Sequence, residues 1–252
     1  MSLKALIFDV DGTLADTERD GHRPAFNAAF KDFGLDWHWD EALYGELLTV
    51  TGGKERIRYF VEQFLPGDHR PAYLENIAAE LHRIKTRHYT GLLESGAIPL
   101  RPGVRRLLEE ARDAGLRLAI ATTTTPENVT ALLNYSLGQG SESWFDVVAA
   151  GDIVPAKKPA PDIYLWALDQ LGLAAEECIA FEDSGNGIRA SLGAGIPTVV
   201  TVNDYTRSDD FSGALLVLND LGEPGQPCRA LQGCLAGKAV VDVGFLRTLS
   251  AA

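Results

Sequence analysis

In KALIFDVDGT, residues 4–13, a short apolar run from Lys4 to Val10 is followed by Asp-Gly, as a buried strand is when it leaves a sheet into a tight turn. Apolar runs of the same kind recur far downstream, at residues 116–122 (LRLAIAT), 146–150 (DVVAA), 178–182 (CIAFE), 197–202 (PTVVTV) and 214–218 (ALLVL). Between them the apolar residues switch to helical spacing, as at Val104, Leu107, Leu108 and Ala111, and again at Ile163, Trp166, Ala167 and Leu171. Near-continuous apolar strands alternating with amphipathic helices specify a parallel sheet covered on both faces. The expected fold is therefore α/β, a doubly wound parallel sheet. Ligands of such sheets bind beyond the carboxyl ends of the strands.

Residues 16–96 break the alternation. Three helix-period stretches follow one another without a convincing strand: Phe26, Ala29, Phe30 and Phe33; Ile57, Phe60, Val61, Phe64 and Leu65; then Leu74, Ile77, Ala78, Leu81 and Ile84. The pattern predicts a helical cap (lid) domain over 16–96, inserted into a core formed by 1–15 and 97–252, with hinges at 15–17 and 96–99. The Gly- and Pro-punctuated tail beyond Gly222 suggests no function.

The 252 residues carry 23 Lys and Arg against 35 Asp and Glu, a net charge of −12, which disfavours nucleic acid and anionic membranes as partners. An anionic ligand must then be held by a local cluster of cations or by a metal ion. No apolar run approaches the ~18 residues of a bilayer span. The first strand begins without a signal peptide before it, and Cys178, Cys228 and Cys234 form no CxxC pair, so a reducing cytoplasm without a zinc site is expected.

Chemistry concentrates at the strand ends. Asp9 and Asp11 close the first strand on the same side by alternation, and two such carboxylates repel unless a cation or a proton compensates. Taken alone, the pair is equally a solvated strand end. Partners appear in order along the chain, however. Thr122 begins a run of four threonines before a helix starting near Glu127, where hydroxyls and free amides suit an oxyanion as well as a simple cap. Lys157 and Lys158 precede a Pro-initiated helix, and Glu182 and Asp183 end a further strand before Ser-Gly-Asn-Gly.

These four motifs together resemble the haloacid dehalogenase-like superfamily of phosphoryl-transfer enzymes. The resemblance implies that Asp9 is the nucleophile that becomes an aspartyl-phosphate and that Asp11 is the acid that protonates the leaving oxygen and then activates water. It implies that Thr122 and Lys158 hold phosphoryl oxygens, and that Asp9, the backbone carbonyl of Asp11, Glu182 and Asp183 hold Mg²⁺. Lys158 is preferred to Lys157 by its spacing to Pro159, whereas the hydroxyl that assists Thr122 stays open among Thr123, Thr124 and Thr125, with Thr123 taken as a substrate contact.

Within the insert, TERDGHR (17–23) and TGGKER (51–56) place basic residues near turns, suited either to a solvated surface or to a clamp for a second anionic group. The same segments make the chain resemble a narrower group, the CbbY-type phosphatases of carbon fixation, which act on xylulose-1,5-bisphosphate. That resemblance implies that Glu18, His22, Gly53, Lys54 and Arg56 contact a sugar bisphosphate, with Arg23, Lys85 and Arg101 as weaker candidates. It also implies a monomer. His38, His69, His82 and His88 carry no assigned role. The rival readings are a β-phosphoglucomutase-like isomerase and, from a different class, a catalytically silent sugar-phosphate sensor.

Overall fold

The computed structural model describes residues 2–67, 70–96 and 98–250. His69, and Ala97 at the expected return from the cap, lie outside the described residues. The chain divides into two units, one of Met1–Asp16 with Pro99–Ala252 and one of Thr17–Ile98. These junctions fall one and two residues beyond the expected boundaries at 15 and 96.

Among the described residues, the first unit is built on seven strands: β1 Ala5–Phe8, β2 Arg117–Thr122, β3 Val147–Ala150, β4 Cys178–Glu182, β5 Thr198–Thr201, β6 Leu216–Leu218 and β7 Ala230–Gln232. They run in the order β3-β2-β1-β4-β5-β6-β7. The first six are parallel, and β7 is antiparallel to β6, an edge strand absent from the apolar pattern because all three of its residues are exposed. Helices α5 Val104–Asp113, α6 Pro126–Leu137, α7 Asp162–Leu171, α8 Gly185–Gly193 and α9 Val243–Leu249 complete the unit. Alternate small residues of the central strands, Ala5, Ala119, Ala121 and Ala180, form one core with Ile163, Tyr164, Ala167 and Leu171 of α7 and Ala190 of α8. Phe8 and Phe181 stack at 4.6 Å on adjacent strands. The tail beyond Gly222 proves structural: Arg106 of α5 donates to the Gly222 and Val241 carbonyls, and Glu110 of α5 accepts from the Val243 amide at the start of α9.

Strand β1 ends at Phe8; the Asp9 amide makes the last bond of the ladder, to the Phe181 carbonyl at 3.0 Å, and Asp11 stands in the following turn. There the Leu14 amide bonds to the Val10 carbonyl and the Gly12 amide to the Ala15 carbonyl. Gly12 has φ +87°, and a Cβ on it would fall 2.2 Å from Asp183 Oδ2. Only glycine allows both the turn and the approach of that carboxylate.

In the second unit, α1 Arg23–Phe33, α2 Glu41–Leu47, α3 Gly53–Phe64 and α4 Leu74–Glu94 follow a π-helical turn at Glu18–His22. Its core is aromatic, with Trp39 between Phe26, Phe30, Tyr44 and Phe60 at centroid distances of 4.7 to 5.9 Å. Helix α2 was invisible to periodicity because only Tyr44 and Leu47 of its seven residues are buried. Asp40 caps it by accepting from the Leu43 amide, and the Asn27 amide group clamps both backbone groups of Trp39, fixing the connection before it. No described helix of either unit is long and apolar enough to cross a membrane.

Candidate active site

The strand register brings the carboxylates together. Phe8 pairs with Phe181 across β1 and β4, so the next residues, Asp9 and Glu182, emerge side by side, with Asp183 following. One ligand oxygen from each of the three lies within 4.8 Å of the others. All three side chains are buried, and so is Lys158, whose ammonium donates to Asp9 Oδ1 (2.7 Å), Glu182 Oε1 (2.6 Å) and the Ala121 carbonyl (2.9 Å). Lys157 instead pairs with Asp152 at 3.0 Å. Asp11 is half-buried and its carboxylate is not one of the clustered three, yet its charge acts on Asp9.

One ammonium among three buried carboxylates leaves an uncompensated negative charge. Burial, the largest influence, pushes the Asp9 carboxyl up to about 8; Lys158 opposes the shift, while Glu182 and Asp11 add to it. Asp183 is likewise driven up, first by burial and then by Asp9 and Glu182. Burial alone would lower the Lys158 ammonium, but Asp9 and Glu182 more than reverse this and hold it above its ordinary value. An all-oxygen donor set short of positive charge fits a hard divalent cation.

The fit has a measurable sign. Asp9 is raised well above its ordinary 3.8, so its contribution to the stability of the metal-free fold is fully present below that value and is lost as pH rises through about 8. A divalent cation must displace the same proton. Its affinity should therefore increase as pH rises through about 8, with proton release on binding below 8, readable by calorimetric titration in buffers of different ionisation enthalpy.

The hydroxyl-rich turn after β2 is partly committed to itself. Thr122 Oγ1 accepts from the Thr124 amide at 3.3 Å, and Thr124 Oγ1 accepts from Asn128 at 3.1 Å. Thr123 is half-buried and precedes α6, which starts at Pro126, one residue before the expected Glu127. Downstream, a Cβ on Gly187 would lie 1.8 Å from Glu182 Oε2, so the glycine of Ser-Gly-Asn-Gly lets the start of α8 close against that carboxylate.

Two residues of this centre went unread in the sequence. The Tyr164 hydroxyl donates to Glu182 Oε1 at 2.5 Å, and the Asn203 amide donates to Asp183 Oδ2 at 2.6 Å. Asn203 follows β5, so the rule that ligands gather at carboxyl ends of strands would have reached it. Tyr164 sits among apolar residues of α7, where a tyrosine needs a hydroxyl partner.

The second unit gathers its own polar cluster. Glu18 Oε2 accepts from the Tyr44 hydroxyl at 2.5 Å, and Arg56 donates to the same hydroxyl at 2.7 Å while lying 3.5 Å from Glu18. Lys85 Nζ is 2.7 Å from His22 Nδ1 and packs over the Phe26 and Tyr89 rings. Arg23 reaches Glu41 at 3.5 Å. Gly53 and Lys54 open α3, where a Cβ on Gly53 would meet the His82 ring at 2.6 Å. Arg101 is not part of this cluster. It belongs to the first unit, where its guanidinium donates to the carbonyls of Gly12, Thr201, Val202 and Asn219 and lies 3.3 Å from Asp16. Its donors are spent on backbone, as in a structural staple, and the sugar-phosphate contact, the weaker expectation for it, would require breaking these bonds.

The model of the haloacid dehalogenase-like hydrolases matches residues 3–195. The plasmid-borne CbbY protein of Cupriavidus necator is 53% identical over 225 residues, covering 89% of this chain and 88% of that protein. The crystal structure of CbbY from Rhodobacter sphaeroides in complex with phosphate matches with a TM-score of 0.81 at 48% identity, over 86% of this chain and 94% of that one. A variant of that CbbY in complex with xylulose-1,5-bisphosphate matches with the same TM-score at 49% identity, over the same shares of the two chains.

Proposed function

The chain belongs to the haloacid dehalogenase-like hydrolase family and is a phosphoric monoester hydrolase, and from this premise we propose that it is a Mg²⁺-dependent phosphatase converting xylulose-1,5-bisphosphate into xylulose 5-phosphate. The observation that carries the reading is the buried group of Asp9, Glu182 and Asp183 around the Lys158 ammonium, at the ends of two adjacent parallel strands. Support for the substrate comes from the relatives.

Asp9, Glu182, Asp183 and the backbone carbonyl of Asp11 would hold the metal. The chemistry supplied by bound Mg²⁺ is positive charge against the carboxylates and the phosphoryl oxygens. Asp9 attacks phosphorus as the bond to the sugar oxygen breaks, and Asp11 gives that oxygen its proton. Asp11 then takes a proton from water, which attacks the aspartyl-phosphate, releases inorganic phosphate and restores Asp9. Lys158, Thr122 and Thr123 hold the phosphoryl oxygens, so that little beyond positioning and charge is asked of the protein.

A bisphosphate needs further cations for its second phosphate. We assign these to the inserted unit, with Lys54 and Arg56 as the cations and Glu18, His22, Arg23 and Gly53 completing the contacts to the sugar phosphate. Arg56→Ala should raise KM for xylulose-1,5-bisphosphate about ten-fold, the scale of a lost charge-assisted hydrogen bond, with a much smaller change for a simple monophosphate. Equal changes for both substrates would remove Arg56 from the second phosphate site.

The reading extends to a cytoplasmic monomer acting on a diffusible small molecule, supported by the net charge of −12 and by the free cysteines among the described residues. The deciding experiment is a Mg²⁺-dependent phosphate-release screen over ketose and aldose mono- and bisphosphates. Preference for xylulose-1,5-bisphosphate is the expected result. Preference for hexose monophosphates would overturn the substrate, isomer formation without free phosphate would identify a mutase, and binding without turnover would identify a sensor.

A further inference from the structure

The Lys158 ammonium has three N–H donors, and all three are engaged, by Asp9 Oδ1, the Ala121 carbonyl and Glu182 Oε1. To hold a phosphoryl oxygen, as the proposed phosphatase reaction requires, it must withdraw one of them. Withdrawal leaves a buried acceptor without its donor unless another donor stands ready. Among the described residues, Asp9 Oδ1 has Lys158 as its side-chain donor, and withdrawal there would abandon the nucleophile. Glu182 Oε1 is different, because the Tyr164 hydroxyl donates to the same atom at 2.5 Å. Tyr164 is fully buried in the core of the first unit, and its ring lies under the ammonium, 5.1 Å from Lys158 Nζ. The hydroxyl thus serves the acceptor of the bond that can open.

We infer that Tyr164 is a positioning residue: its hydroxyl keeps Glu182 Oε1 hydrogen-bonded while Lys158 turns one donor from that oxygen to a phosphoryl oxygen of the substrate. No covalent step is involved. The hydroxyl proton stays on the tyrosine, and only acceptors are exchanged. Position Tyr164 follows from its place on α7, six residues after Lys158 and two after the helix start at Asp162, which sets its side chain against the end of β4.

This inference rests on the phosphatase reading, and its test separates the two. The full-length Mg²⁺-loaded protein is compared with Tyr164→Phe, which keeps the ring, and with Tyr164→Leu, which removes both ring and hydroxyl. Inorganic phosphate affinity is measured by calorimetry, Mg²⁺ affinity is measured separately, and kcat and KM are measured on the preferred substrate. The expected result for Tyr164→Phe is a weakening of phosphate binding and of kcat/KM by about ten-fold, the scale of one lost hydrogen bond to a charged group, with Mg²⁺ affinity and Tm near those of the parent. Tyr164→Leu should lower Tm further but weaken phosphate binding no more than Tyr164→Phe does. Unchanged phosphate affinity in Tyr164→Phe overturns the inference. So does a loss confined to Mg²⁺ affinity, or one that merely follows Tm across both variants. Absence of Mg²⁺-dependent phosphate release by the parent protein overturns the phosphatase reading itself, whatever the variants do.

Discussion

Asp11→Asn is expected to lower kcat by about 10²–10⁴-fold, the range of a positioned general acid and base, while leaving Mg²⁺ affinity close to that of the parent. The separation follows from geometry. Asp9, Glu182 and Asp183 are the clustered carboxylates, and the Asp11 side chain stands outside them, half-buried in the turn that its own backbone forms with Ala15. Asparagine preserves the size of the side chain and the backbone carbonyl but carries no exchangeable acidic proton. Both half-reactions then suffer, because the leaving sugar oxygen lacks its proton donor and the attacking water lacks its base. A poor leaving group depends most on the acid. The variant should therefore recover relative activity on an aryl phosphate, whose leaving oxygen needs no proton, to the extent that formation of the aspartyl-phosphate limits turnover. Near-parental kcat on the sugar phosphate would remove Asp11 from the acid and base role. Loss of Mg²⁺ affinity in step with kcat would reassign its side chain to the metal.

The contrast between Asp9 and Asp11 shows what the sequence made legible. All six strands of the parallel sheet announce themselves as apolar runs between helices, and their carboxyl ends point to Asp9, Thr122 and the Glu182-Asp183 pair. Alternation misled at one point. It extended β1 through Val10, whereas the chain leaves the ladder after Phe8 because the Val10 carbonyl turns to the Leu14 amide. The Asp9 amide closes the ladder while Asp11 belongs to the turn, so each is aimed separately. Exposed or short elements left little pattern: β7 has no buried face, and α2 buries two residues. Tyr164 and Asn203 escaped for another reason. Each acts on a carboxylate rather than on a ligand, and such contacts depend on which elements the fold brings together.

Arg101 illustrates the same limit with a larger consequence for stability. Truncation to alanine is expected to destabilise the protein by about 3–5 kcal/mol, because it strands carbonyls that a buried guanidinium now satisfies. Four carbonyls are involved: Gly12 in the turn after β1, Thr201 and Val202 at the end of β5, and Asn219 just beyond β6. Arg101 thus ties three strand ends to the loop that carries Asp9 and Asp11, and its Nε side meets Asp16 at 3.3 Å. Lysine should not rescue it, since three donors on a single nitrogen cannot span acceptors that the planar fork reaches with two. Thermal unfolding would read the loss as a fall in Tm of roughly 10 °C. The turnover of the surviving folded fraction should fall as well, because the Gly12 carbonyl anchors the turn next to the nucleophile. A sugar-phosphate contact would behave in the opposite way, raising KM with Tm unchanged and yielding partly to lysine. The pair of measurements on Arg101→Ala and Arg101→Lys therefore decides between a cation spent on the backbone and one held for the ligand.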